Sequence, residues 1–63
     1  MILEKIKDKN LHEIIEMLLN NEISLNDFNR DFCEEYPSLY MNIIYNFQTW
    51  ELFEMYIKLN TIN

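Results

Sequence analysis

The chain has 63 residues, one cysteine, one histidine and a net charge of −6 at pH 7. A single cysteine cannot form an internal disulfide, and His12 lacks the second histidine that a helical zinc motif needs, so we expect no metal and no other cofactor. Between residues 10 and 57, nine acidic residues stand against Arg30 alone, a balance that repels polyanions and excludes nucleic acid as a direct partner.

The first apolar residues, Ile2, Leu3 and Ile6, do not continue the face of the helix that follows them. When the helical count is extended back from Leu11, these three point about a third of a turn away from the main stripe. We therefore expect a short separate helix here, or a bend near residues 8–10.

The most regular amphipathic pattern begins at Leu11. Its inward face consists of Leu11, Ile14, Ile15 and Leu18. Asn10 followed by Glu13 has the spacing of a capping box, which predicts that the helix begins at Leu11. The chain contains no glycine, so the pair Asn20–Asn21 is the best candidate for the left-handed conformation that ends a helix.

A second amphipathic helix is predicted from Ser24, as N-cap, to about Glu35. Its inward row is Leu25, Phe28, Phe32 and Tyr36. Its outer row is Asp27, Asp31 and Glu34. Pro37 disfavours helical geometry at the preceding residue and suits the first turn of a new helix, so the break is expected at residues 35–37.

From Ser38 to about Asn60, no residue clearly breaks the helix, and two apolar stripes lie on opposite sides. The first comprises Leu39, Tyr40, Ile43, Phe47 and Trp50, and the second Met41, Tyr45, Leu52, Tyr56 and Leu59. Either one long helix is covered on both sides, or it is kinked near 48–49, where Thr49 can cap a new helix. The predicted fold is an all-α, compact three- to four-helix mini-bundle with a long C-terminal helix, in one domain, 1–63.

The two helices around Pro37 suggest a DNA-reading helix-turn-helix, but their charge opposes it. The second helix has no basic residue between Ser38 and Phe47, and Glu34–Glu35 lie in the turn. Contacts with phosphates dominate affinity for DNA, so this surface would be repelled.

Catalytic residues are not evident either. Cys33 lies at the edge of a core row, where a cysteine is usually inert, and its possible base His12 lies near an exposed helix start. We therefore expect a non-enzymatic protein.

Nine aromatic residues and four methionines exceed what so small a core encloses. Phe28, Phe32, Phe47 and Trp50 are predicted to be core residues. A different group lies opposite the first stripe and is predicted to bind a partner protein: Met41, Tyr45, Leu52, Met55 and Tyr56.

The sequence thus favours a small acidic inhibitor or adaptor that binds a protein with a basic or apolar surface. Two alternatives stay open: an acidic DNA mimic, whose acidic face is Asp27, Asp31 and Glu34, and a structural homo-oligomer such as a homodimer. The chain lacks alanine, valine and glycine, which indicates AT-rich coding and suggests a phage or mobile element. Without an apolar run of signal or membrane length, we expect a cytoplasmic location and no membrane partner.

Overall fold

The computed structural model describes residues 1–62, which form five α-helices and no strand. The helices are α1 (Ile2–Ile6), α2 (Leu11–Leu19), α3 (Arg30–Glu34), α4 (Pro37–Phe47) and α5 (Trp50–Asn60). The predicted all-α mini-bundle is confirmed. Five helices form instead of three or four because the first segment is separate and the last predicted helix is divided into α4 and α5.

Helix α2 begins and ends as its sequence predicts. The Asn10 side chain accepts a hydrogen bond from the Glu13 amide at 2.8 Å, and Glu13 Oε1 accepts from the Asn10 amide at 2.9 Å, which completes the capping box. At the other end, Asn21 has a positive φ of 61°, and the amide of Glu22 donates to the carbonyl of Met17. This left-handed residue ends the helix in the way that glycine commonly does.

The prediction of one continuous helix from Ser24 to Glu35 is wrong. Ser24 caps a single turn, its hydroxyl accepting from the Asp27 amide at 3.3 Å, and the chain is then extended at Asn29. The Asn29 side chain accepts from the Phe32 amide at 2.8 Å and so caps the shorter helix α3.

Burial of Phe28 accounts for this break. Its side chain is fully buried, with ring centroids 6.1 Å from Phe53 and 6.3 Å from Trp50. The extended residue at Asn29 lets the preceding turn direct Phe28 into the core while α3 starts in a new direction. Packing of a large aromatic side chain thus outweighs local helix continuity.

The last predicted helix is divided, which confirms the kinked alternative. Gln48 has φ 78° and ψ −44°, and the Thr49 hydroxyl accepts from the Leu52 amide at 3.1 Å to cap α5. Pro37 occupies the first turn of α4, as predicted.

One apolar core lies between α2, α4 and α5, with α3 packed on α4. Its fully buried large side chains are Phe28, Phe53, Ile14, Ile43 and Ile57. Of the four aromatics predicted as core, Phe28 and Trp50 are buried, whereas Phe32 and Phe47 are half-buried and pack against the core. Phe53 lies at the centre of the aromatic cluster, with contacts to Phe28, Phe47 and Trp50.

The segment after α5 is joined to the end of α2. The Ile62 amide donates to the Leu19 carbonyl at 2.9 Å, and the Asn21 side-chain amide donates to the Ile62 carbonyl. Helix α5 is therefore fixed at its far end as well as at the turn from α4. None of the helices in residues 1–62 combines the length and hydrophobicity required to cross a lipid bilayer.

Candidate protein-binding surface

All five residues predicted to bind a partner are exposed. The exposed fraction is 60% for Met41, 87% for Tyr45, 45% for Leu52, 53% for Met55 and 42% for Tyr56. Large apolar side chains of this kind are costly to leave in water, since fully burying one from full exposure contributes roughly 1.5–3 kcal/mol.

Four of the exposed side chains form a stripe along α5. We call Leu52, Met55, Tyr56 and Leu59 the α5 surface. Their spacing of i, i+3, i+4 and i+7 places them on one side of the helix. Leu59 is 77% exposed and extends the surface by a turn beyond the residues predicted to bind a partner.

Helix α5 also has a second apolar side, which is already covered. Trp50, Phe53 and Ile57 are buried against the rest of the bundle. The Tyr56 ring borders this core, with its centroid 5.5 Å from that of Phe47. The α5 surface therefore adjoins the aromatic cluster through Tyr56.

Met41 and Tyr45 lie on a different helix. They are four residues apart on α4, on the side opposite the buried Ile43. Because the chain turns at Gln48, these two side chains do not continue the stripe of α5 along one helix. The structure thus brings Leu52, Met55 and Tyr56 together and places the other two predicted residues on α4.

A group of carboxylates borders α5 where it meets α3. Asp31, Glu51 and Glu54 line a shallow groove between the two helices together with Arg30 and Trp50. Arg30 Nη2 lies 2.9 Å from Glu51 Oε2 and links the two helices. The groove therefore has three carboxylates and one guanidinium, and it retains negative charge next to an apolar stripe.

The predicted acidic face is divided between two places. Asp27, Asp31 and Glu34 are all exposed, but the break at Asn29 removes them from a single helical row. Asp27 instead lines a groove with Met1 and Lys5 at the amino-terminal end. The grouping of Asp31 with Glu51 and Glu54 had no sequence signal, because it joins residues about 20 positions apart.

Neither Cys33 nor His12 belongs to these surfaces. Cys33 is fully buried in α3, and burial raises the pKa of its thiol to about 12, so the group is un-ionised near neutral pH. His12 is exposed on α2, with Nε2 3.0 Å from Glu16 Oε1. Within residues 1–62, no three potential metal ligands lie close enough to hold an ion.

Comparison with known proteins identifies no relative: no family model, no curated protein and no solved structure matches the chain. Its function is therefore inferred from the chemistry of the surfaces described above.

Proposed function

We propose that this chain is a small acidic protein-binding module that acts as an inhibitor or adaptor, with the α5 surface as its main contact. The observation that supports it is that α5 leaves Leu52, Met55, Tyr56 and Leu59 exposed although its other side already fills the core. Tyrosine and methionine are enriched at protein interfaces. A contiguous stripe of four large apolar side chains is uncommon on the solvent-facing side of a helix.

The mechanism is occlusion or bridging. The α5 surface contributes contact area, and burial of its most exposed member, Leu59, contributes the most per residue. The net charge of −6 and the carboxylates between α3 and α5 favour a partner with a basic or apolar surface and speed the encounter. The AT-rich coding inferred from composition supports an origin in a phage or mobile element. The proposal includes a cytoplasmic location, which suits the free Cys33.

The acidic decoy of a nucleic-acid-binding protein is kept as a second candidate. The groove with Asp31, Glu51 and Glu54 supports it, since only Arg30 offsets these charges there. The separate position of Asp27 weakens it, because a mimic of phosphates needs a regular row of charges. A homodimer through the α5 surface is the third candidate.

The test is affinity capture from the source cell with three variants of the chain. Leu59→Glu places a charge in the α5 surface and should weaken capture by about tenfold or more. Asn26→Glu is the matched control, since it adds the same charge at an exposed position in the turn before α3, outside α5. The triple variant Asp27→Lys, Asp31→Lys and Glu34→Lys should slow association and leave most of the affinity.

Each candidate gives a different outcome. Loss of capture in the triple lysine variant, with Leu59→Glu unaffected, would identify the acidic decoy. A blank capture together with a stable dimer in light scattering, which Leu59→Glu dissociates, would identify the homodimer and overturn the proposal.

A further inference from the structure

A groove at the amino-terminal end of α4 differs in charge from the rest of the molecule. It has a volume of about 240 Å³ and lies between α1 and the start of α4. Ile6 and Ile14, both almost fully buried, form part of its lining, together with the half-buried Leu39. Lys7 and Lys9 also line it, both exposed. An apolar lining next to two ammonium groups defines its chemistry.

No carboxylate lines this groove, although the chain has 11 acidic residues. Within residues 1–62, neither Lys7 nor Lys9 forms an ion pair, whereas Arg30 is paired with Glu51. The ammonium groups of Lys7 and Lys9 are therefore not in contact with any carboxylate of the described residues, although Asp8 lies between them in the sequence. A ligand for this groove needs an apolar group and at least one carboxylate or similar anion.

The volume favours a side chain over a small molecule. Pockets for metabolites and cofactors usually enclose about 300–1,000 Å³, and this groove is smaller. It can hold one aliphatic or aromatic side chain while neighbouring carboxylates reach the lysines. An anionic membrane fits less well, because recognition of anionic lipids usually involves clusters of about four to eight basic residues, and only Lys7 and Lys9 line this groove.

We propose that this groove is a second binding site, for an acidic segment of a partner protein that inserts an apolar side chain and pairs its carboxylates with Lys7 and Lys9. The site is distinct from the α5 surface. Leu39 in the groove and Phe47 beside Tyr56 are eight residues apart on α4, about 12 Å along the helix. The chain thus presents an apolar surface with acidic neighbours and an apolar groove with basic neighbours, and can join two different partners.

The probe is a short acetylated peptide with phenylalanine flanked by aspartates, titrated into the full chain labelled with ¹⁵N. Amide shifts should concentrate at Lys7, Lys9, Tyr36 and Leu39, and the affinity should fall as salt is added. Replacing the peptide aspartates by asparagine should weaken binding about tenfold, since two exposed ion pairs are lost. The double variant Lys7→Gln and Lys9→Gln should weaken it to a similar extent.

The matched control is Lys5→Gln with Lys58→Gln, which removes the same charge from outside the groove and should leave peptide affinity within about twofold. Equal binding of the aspartate and asparagine peptides would overturn the proposal, as would shifts confined to α5. Binding of phosphatidylserine vesicles in preference to the peptide would identify a membrane ligand and also overturn it. The α5 surface is tested separately, by Leu59→Glu.

Discussion

Cys33 shows how an ionisable side chain serves as an apolar one. It is fully buried in α3, the five-residue helix that packs on α4, and no other cysteine is present. Burial raises the pKa of its thiol from 9.0 to about 12, because a thiolate would lose its hydration. The group contributes as a small hydrophobic residue.

The pKa of Cys33 predicts a specific dependence of stability on pH. In the unfolded chain the thiol ionises near pH 9, while in the folded chain it stays protonated to about pH 12. The contribution of Cys33 to the free energy of unfolding is therefore complete below pH 9 and falls between pH 9 and 12. The slope approaches 1.4 kcal/mol per pH unit.

Urea unfolding of the wild type and of Cys33→Ala over this range measures the effect. All other ionisable groups are common to the two proteins, so only the difference between the two curves reports the thiol. The difference should shrink as pH rises above 9, and parallel curves would contradict the prediction.

At the scale of the helices, Gln48 determines how α4 and α5 meet. Its φ of 78° and ψ of −44° are close to the geometry of a γ-turn that is strained for any residue with a Cβ atom. The turn lets Phe47 contact Phe53 at a ring distance of 5.1 Å. Packing of these two rings stabilises a backbone conformation that is unfavourable by itself.

Gln48→Gly should therefore raise the free energy of unfolding by roughly 1 kcal/mol. Glycine adopts a positive φ without steric cost, and this gain exceeds the entropy it loses on folding. Gln48→Ala is the control, since it keeps the Cβ atom and should change stability by less than about 0.5 kcal/mol. Equal stabilities of the glycine and alanine variants in urea would show that the turn is not strained.

Local sequence predicted the helices whose ends are set by nearby residues. Helix α2 is the clearest case, because Asn10, Glu13 and Asn21, which lie in the helix or within two residues of its ends, specify where it begins and ends. The break at Asn29 could not be predicted, because Ser24 and Asp27 have the spacing of a helix cap and do form one turn. Contacts of Phe28 with α5, distant in sequence, decide that the turn does not continue.

The same division holds for the candidate surfaces. Helical periodicity placed Leu52, Met55 and Tyr56 on a second apolar side, but their exposure depends on how the other helices pack and is visible only in the folded chain. The pairing of Arg30 with Glu51 spans 21 residues and depends on how α3 packs near α5. The basic groove likewise combines residues from α1, α2 and α4, so it is visible only in the folded chain.

For the molecule as a whole, the core is small and the aromatic cluster dominates it. A domain of this size has about 3–5 kcal/mol of stability available from its core. Phe53 is fully buried and contacts three other aromatic rings, so many contacts depend on one side chain. The four residues of the α5 surface add little to that core because they remain in water.

Phe53→Ala should unfold the chain at room temperature, because loss of a buried phenylalanine costs about 3–5 kcal/mol, as much as the total stability. Leu59→Ala, at a 77% exposed position, should change the free energy of unfolding by less than about 0.5 kcal/mol. Circular dichroism with thermal unfolding distinguishes the two. A folded Phe53→Ala variant, or a marked loss with Leu59→Ala, would mean that the core extends beyond the cluster described.

The attachment of Ile62 to the end of α2 has a consequence for molecular encounters. Helix α5 starts at a capped turn beside Phe47 and ends at a backbone hydrogen bond to Leu19, so neither end can swing outward without breaking native contacts. A molecule that docks on Leu52, Met55, Tyr56 and Leu59 meets a template whose backbone is ordered in advance. Because α5 loses little conformational entropy on binding, a contact of modest buried area gives a higher affinity than the same contact with a flexible helix.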